Sequence, residues 1–130
     1  MSDKIQQLIE EMGNFSPIYF QSAGYQSIDS DSTWTKISEF TLSPGTTGIL
    51  QRLKLICSLL TAIPSVQFRM KINQRYPEQL KSIYLTSGSE ERELSISQLV
   101  RENDIISIWV NNSSGSTISV HTECEGVYID

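Results

Sequence analysis

A strict alternation of apolar and polar side chains constrains the fold of this chain more than any other feature. It is clearest in residues 66–72, where every second side chain is apolar and the intervening ones are Gln, Arg and Lys. Successive side chains of a β-strand point to opposite faces of a sheet, so this segment predicts a half-buried strand. Less regular versions of the pattern predict strands at residues 17–28, 34–42, 49–59, 82–86, 93–97, 105–110 and 117–124.

Turn-forming residues separate these segments. Ser43-Pro44-Gly45 predicts a tight connection, residues 111–115 predict a hairpin loop, and a further loop is expected at residues 73–79. About seven or eight short strands with turns at such intervals are typical of an antiparallel β-sandwich or jelly roll. The predicted fold class is therefore all-β.

The alternation also predicts which side chains face the core. In residues 49–59 the expected inward positions are Ile49, Leu53, Leu55, Cys57 and Leu59. In residues 105–110, Trp109 falls on the face opposite Ile106, Ile108 and Val110. Because both faces of this second strand carry apolar residues, its outer face is expected to be partly covered.

The first residues follow a helical period instead. Ser2 is a suitable N-cap and Gly13 a suitable C-terminal cap for a helix over residues 2–12. Its apolar stripe consists of Ile5, Leu8, Ile9 and Met12. So short a helix is marginal alone in water, so the stripe must pack on its own sandwich, on other copies or on a larger assembly. The predicted organisation is a helical anchor or oligomerisation segment, residues 1–13, followed by a sandwich domain, residues 14–130.

Charge and length limit the possible partners. A chain of 130 residues is long enough to bury a core without a metal or a disulfide. Its net charge of −5 repels phosphate backbones, so no nucleic-acid partner is expected. The best basic candidates, Lys71, Arg75 and Lys81, are spread out and show no clear aromatic platform in the sequence.

The two cysteines, Cys57 and Cys124, fall at inward positions of predicted strands. Two reduced core thiols are the expected state, and a disulfide between neighbouring strands is the alternative. Neither has a second Cys or a His at metal-ligand spacing, and no phosphate-binding or other cofactor motif occurs. No metal and no cofactor are expected.

The sequence also predicts where the protein resides. Residues 1–12 contain three acidic residues and no apolar core of a signal peptide. No segment approaches the roughly 18 apolar residues that a membrane span needs. We therefore expect a protein made in a cytoplasm, with no signal peptide and no membrane association.

The sequence offers little for catalysis. The one histidine, His121, shares a strand face with Ser119, Glu123 and Glu125. Neighbours on one strand face are about 6–7 Å apart, too far for direct activation of a nucleophile. Asp29 and the acidic residue two positions later are expected to form a polar turn rather than a calcium site. No enzyme activity and no catalytic residues are expected.

Exposed aromatic residues are the best candidates for contact with a ligand or partner. Trp34 begins a predicted strand, and Trp109 lies on the outer face of another. An exposed indole can stack on a sugar ring or on a protein partner. Packing in the core or in a subunit contact is the competing interpretation for both.

Three stretches resemble the small β-sandwich and jelly-roll modules of bacteriophage and other virion proteins. They are residues 34–50, residues 99–108 and residues 116–120, read WTKISEFTLSPGTTGIL, LVRENDIISI and STISV. Similar runs also occur in carbohydrate-binding and tumour-necrosis-factor-like domains. The resemblance is one of fold, and it transfers no functional residue because function resides in sites rather than in folds.

This resemblance implies a structural protein of a virion, such as a capsid decoration, spike or fibre-associated subunit. The implied partners are copies of itself, as a trimer or pentamer, and the major capsid protein or other virion proteins. The implied location is the virion, assembled in the host cytoplasm. A carbohydrate-binding or receptor-binding module that uses Trp34 and Trp109, and a non-viral assembly subunit, remain alternatives.

Overall fold

A computed structural model describes residues 16–22, 24–30, 33–58, 66–84 and 91–129 of the chain. The predicted N-terminal helix with its apolar stripe and the predicted inward residue Leu59 lie outside the described residues. Within the described residues no helix has the length and apolar character needed to span a membrane.

The described chain forms nine strands and one short 3-10 helix at Glu78–Leu80. The strands are β1 Pro17–Gln21, β2 Gln26–Ile28, β3 Trp34–Thr41, β4 Gly48–Ser58, β5 Val66–Ile72, β6 Ile83–Tyr84, β7 Glu91–Val100, β8 Ile105–Asn112 and β9 Ile118–Tyr128. One five-stranded sheet has the order β1-β9-β4-β7, with β2 also paired to β9, and a four-stranded sheet has the order β3-β8-β5-β6. All strand pairs are antiparallel. The predicted antiparallel β-sandwich is confirmed.

The core lies between the two sheets and is built from the inward side chains of each strand. β5 shows the predicted alternation without a defect, with Val66, Phe68, Met70 and Ile72 fully buried. The opposing sheet contributes buried side chains that include Leu50, Leu53, Leu55, Val120 and Cys124. Burial of this apolar surface on both inner faces is the main stabilisation of a sandwich.

Several predicted strand boundaries were wrong, including that of the last strand, which runs to Tyr128 rather than to residue 124. The segment 17–28 is two strands along the same side of β9, because the chain leaves the ladder at Gly24, where φ is +66°. The segment 82–86 is a strand only at Ile83–Tyr84 within the described residues. The segment 93–97 is ten residues long as Glu91–Val100. It lies at a sheet edge, where half-buried Arg, Gln and Leu residues weaken the alternation on which the prediction relied.

β4 also departs from strict alternation. The register of β4 against both neighbours shifts between Leu50 and Arg52, which marks a β-bulge. The extra residue lets Leu50 and Leu53 both face the core although they are three positions apart. Ile49 was predicted to point inward, but it is only half-buried and Leu50 takes its place.

Register decides the state of the two cysteines. Cys57 pairs with Val120, whereas Cys124 pairs with Leu53, which lies four positions before Cys57 in β4. Four strand residues span about 13 Å, well beyond the separation of about 7 Å that a disulfide allows. Both thiols are buried and neither is in a disulfide bond, so the predicted reduced core thiols are confirmed. Burial raises the pKa of the Cys124 thiol to about 12.

A buried amide closes one end of the sandwich. Asn112 Nδ2 donates to the carbonyl oxygens of Ile28, at 3.0 Å, and Ser116, at 2.7 Å. Its Oδ1 accepts from the backbone N–H and the hydroxyl of Ser114. The amide therefore ties the β8–β9 loop to β2. The hairpin predicted at residues 111–115 was wrong, because β8 and β9 belong to different sheets and this loop, with Gly115 at φ +86°, crosses from one sheet to the other.

Candidate ligand-binding face

The outer face of the four-stranded sheet brings together the two tryptophans singled out in the sequence. Trp109 on β8 lies directly between Lys36 on β3 and Arg69 on β5. Trp34, at the start of β3, is one outward position before Lys36 on the same face. Both indoles are half-buried, so neither belongs to the core and neither is fully exposed.

Arg69 is held between two aromatic rings. Its guanidinium carbon lies 3.8 Å from the centre of the Trp34 ring and 4.3 Å from the centre of the Tyr76 ring. Arg69 forms no ion pair with any described residue, and its buried Nε has no hydrogen-bond partner among them. Stacking on aromatic faces suits the weakly hydrated guanidinium, and here it replaces the usual carboxylate partner.

Trp109 is fixed in orientation by its own strand. Its Nε1–H donates a hydrogen bond to Ser107 Oγ, 2.9 Å away and two residues earlier on the same face. Ser107 is itself buried, so this bond is partly shielded from water. The Lys71 ammonium lies 5.8 Å from the centre of the Trp109 ring and 5.7 Å from that of Tyr76. We call Trp34, Arg69, Lys71, Tyr76 and Trp109 the cation–aromatic cluster.

A concavity of about 230 Å³ opens beside the cluster, at Trp109 and Lys71. Lys36, Glu39 and Asn73 supply polar groups to its wall. Larger hollows of about 460 and 430 Å³ lie around residues 45–47 and 99–102, and around residues 75–79 and 97–98. We favour the concavity at Trp109 as the candidate site, because it combines an oriented indole with cations, whereas size alone says nothing about recognition.

The charges on this face differ from those of the whole chain. Lys36 pairs with Glu39, whereas Lys71 forms no ion pair within the part of the chain that the structure describes. An acidic protein thus presents a locally cationic face. The expectation that the basic residues lack an aromatic platform was wrong for Lys71. Lys81 lies apart from the cluster and pairs with Glu78 at 3.2 Å.

The opposite outer face, on the five-stranded sheet, is a ladder of ion pairs. Arg52 bridges Glu93 and Glu125, and Lys54 pairs with Glu91 at 2.8 Å. The hydrogen bond to Glu91 raises the pKa of Lys54. These exposed ion pairs satisfy one another, and such surface pairs contribute little to stability.

His121 has a structural partner rather than the strand neighbours considered from the sequence. Its Nδ1 lies 2.9 Å from Ser22 Oγ and 2.9 Å from the Gly24 carbonyl oxygen. Ser22 is buried, and its hydroxyl accepts a hydrogen bond from the Thr122 N–H. The contact between Ser22 and His121 therefore attaches the segment between β1 and β2 to β9. Ser22 was missed in the sequence because it lies about a hundred residues from His121.

The described residues contain no group of three or more His, Cys, Asp and Glu side chains that could hold a metal ion. Asp29, at the end of β2, accepts a hydrogen bond from the Thr117 hydroxyl at 3.2 Å. This contact agrees with the polar turn that was expected there. The remaining acidic residue of that turn lies outside the described residues.

Comparison with known proteins places this geometry in a structural context. No protein-family model matches the chain, and no curated protein matches its sequence. A solved structure of the acid-stable capsid of Helicobacter pylori bacteriophage KHP30 contains a chain with TM-score 0.53 and 6% identity. The likeness covers 89% of this chain and 98% of that one. The two chains share a fold.

At this identity the likeness concerns the fold alone, and it confirms the fold-level resemblance to bacteriophage virion proteins. A crystal structure of FLHE is also similar, with TM-score 0.48 and 10% identity. That likeness covers 88% of this chain and 99% of that one.

Proposed function

We propose that this chain is a non-enzymatic structural subunit of a virion-like assembly. The observation that carries the proposal is the likeness to a chain of a bacteriophage capsid structure, which spans nearly the whole of both chains. The similarity extends over nearly the whole of both chains rather than over one hairpin, so it concerns the complete fold. Fold does not determine function, so the proposal depends on the assembly test below.

The described side chains support a non-enzymatic role. Both Ser22 and His121 are engaged with the backbone near the β1–β2 break, and Ser22 is buried away from any substrate. The Cys124 thiol is buried with a raised pKa, which opposes the thiolate form that a nucleophile needs. Neither the Ser22–His121 contact nor Cys124 has the exposed, activated geometry of a catalytic centre.

The finer proposal is a homo-oligomer, trimeric or pentameric, that decorates a capsid or belongs to a spike or fibre. It would contact the major capsid protein or other virion proteins and reside in virions assembled in a host cytoplasm. The acidic net charge supports solubility at the high copy number that such a role demands. The predicted apolar stripe of residues 2–12 remains the proposed contact between copies.

Light scattering of the purified full chain tests the assembly role. A discrete oligomer is expected, and Leu8→Asp, in the predicted stripe, should reduce the mass to that of a monomer without loss of the sandwich signal in circular dichroism. Ser97→Asp, at an exposed position of β7, is the control that should leave the mass unchanged. A monomer in all three proteins over a wide concentration range would contradict a self-assembling subunit.

A carbohydrate-binding or receptor-binding module is the second candidate. The concavity beside Trp109 favours it, because the indole is held by Ser107 at the wall of a polar hollow. Sugar sites in proteins commonly combine an aromatic platform with convergent polar groups. Quenching or enhancement of tryptophan fluorescence across a glycan panel tests it, and no response from any glycan would remove this candidate.

A further inference from the structure

We propose that the concavity beside Trp109 binds a carboxylate-bearing saccharide, with the indole under the sugar ring and the Lys71 ammonium paired with the carboxylate. The inference rests on the second candidate function and names its ligand class. It differs from a general glycan site because it assigns the discrimination between acidic and neutral sugars to one side chain.

The positive charge of Lys71 is not paired with a described carboxylate. Lys71 is half-buried on β5, and its ammonium lies 5.7 Å from the ring centre of Tyr76 and 5.8 Å from that of Trp109. It forms no ion pair with a described carboxylate. On a chain with net charge −5, acidic partners for a lysine are abundant, and Lys36, Lys54 and Lys81 each have one. A cation left without a counter-ion beside a hollow is available for an anionic group of a ligand.

The indole of Trp109 is already held in one orientation. The hydrogen bond from Trp109 Nε1 to the buried Ser107 hydroxyl holds the indole plane before any ligand arrives. A prearranged ring reduces the entropic cost of binding. The ammonium of Lys71 lies over this ring, 5.8 Å from its centre, so a stacked sugar ring requires the ammonium to move aside. The flexible stem of lysine lets the ammonium move to the rim of that ring.

The wall of the concavity beside Trp109 also carries polar and charged side chains. Asn73 adds an amide, with Nδ2 donating to Asp104 and Oδ1 accepting from the Ile105 N–H. These bonds hold Asn73 at the rim, at φ +56°. Glu39 is paired with Lys36, so its negative charge is offset and does not repel an incoming carboxylate. Among the charged residues that line the hollow, Lys71 is therefore the one whose charge is not offset by an ion pair with a described residue.

A matched pair of ligands tests the proposal. The probes are an oligosaccharide that ends in glucuronic acid and its counterpart that ends in glucose, titrated against the full chain by calorimetry and tryptophan fluorescence. We expect the acidic probe to bind about tenfold more tightly at low salt, the ratio that one charge-assisted contact provides. Added NaCl should reduce that ratio, because salt screens exposed charges.

Variants assign the effect to the proposed groups. Lys71→Gln should abolish the difference between the two probes and retain binding of the neutral one. Lys81→Gln, which removes an equal charge outside the cluster, should leave both affinities unchanged. Trp109→Phe, which keeps a ring for packing, should weaken both probes several-fold and remove most of the fluorescence response. Thermal melts of each variant check that the sandwich remains folded.

The outcomes separate this inference from the function on which it rests. Equal affinity for both probes, lost on Trp109→Phe, would keep the carbohydrate site and overturn the acidic class. No binding of either probe would overturn both. If Lys71→Gln instead lowers the solution mass of the protein in the absence of sugar, the cluster is a contact between protein chains and the inference is wrong.

Discussion

The guanidinium of Arg69 lies against the indole of Trp34, with 3.8 Å between the guanidinium carbon and the ring centre. The two residues are on β5 and β3, which are not hydrogen-bonded to each other but are both paired to β8 between them. Their contact therefore bridges the outer face of the sheet across a whole strand. Because Trp34 and Arg69 both belong to the cation–aromatic cluster, their contact contributes to the stability of this face and to the shape of the candidate site.

A double-mutant cycle with Trp34→Leu and Arg69→Met should show a coupling of about 1 kcal/mol, the usual size of a partly desolvated cation–π contact. Urea denaturation of the wild type, both single variants and the double variant measures it. Trp34→Leu combined with Lys81→Met is the control, with additive effects expected because Lys81 lies outside the cluster. Additivity in the first cycle would show that the observed stacking contributes nothing.

Gly126→Ala should lower the free energy of unfolding by about 3 kcal/mol, at the upper end of the effects of overpacking. A Cβ at Gly126 would lie 2.0 Å from the Ile49 carbonyl oxygen and 2.8 Å from Leu50 Cα, both backbone atoms at the β4 bulge. Gly48→Ala is the matched control, since its closest contact is the flexible end of Ile18 at 2.6 Å. Chemical denaturation compares them, and a larger loss for Gly48→Ala would contradict the crowding at the bulge.

Asn112→Asp should cost about 3 kcal/mol at neutral pH, because a buried carboxylate cannot donate to the Ile28 and Ser116 carbonyl oxygens. A protonated carboxyl group donates once, so the loss should shrink as the pH falls. Thermal melts over a range of acidic to neutral pH follow this change. Ser113→Ala, in the exposed part of the same loop, should change stability by less than about 0.5 kcal/mol. A loss for Asn112→Asp that is independent of pH would exclude this explanation.

Native Cys124 should resist thiol reagents at neutral pH, because burial raises its pKa to about 12 and also blocks access. A thiol whose pKa is raised on folding stabilises the folded state fully below its unfolded pKa, near 9.0, and loses that contribution as the pH rises towards about 12. Reaction with a chromogenic disulfide reagent, with and without denaturant, measures access. Thermal melts above pH 9 measure the linkage, and Cys124→Val should flatten that part of the pH profile.

Side-chain periodicity was sufficient to predict the sandwich and much of its core. The burial predicted for residues 66–72 was correct at every position, because all inner side chains of this strand are apolar and all its outer side chains are polar. The positions of Cys124, Val120 and Ile118 on the inner face of β9 follow from the same period. These features depend on nearest neighbours along one strand, so the sequence contains all the information they need.

Other features arise where strands meet. The bulge of β4 exists because two neighbouring strands must pair with it in register, so alternation alone assigned Ile49 rather than Leu50 to the core. The exclusion of a disulfide likewise depends on the offset between Cys57 and Cys124 across β4 and β9. No local pattern encodes such an offset.

The candidate site shows the same division. From the sequence alone, Trp34 and Trp109 were recognisable as outward aromatic residues on separate strands, and Lys71 as an outward cation. Their meeting on one face, with Arg69 between Trp34 and Tyr76, was decided by the strand order β3-β8-β5. The sequence determined which side chains face outward, because strand geometry is local. Only the tertiary structure decided which of them are neighbours, because strand order and register depend on packing of the whole sandwich.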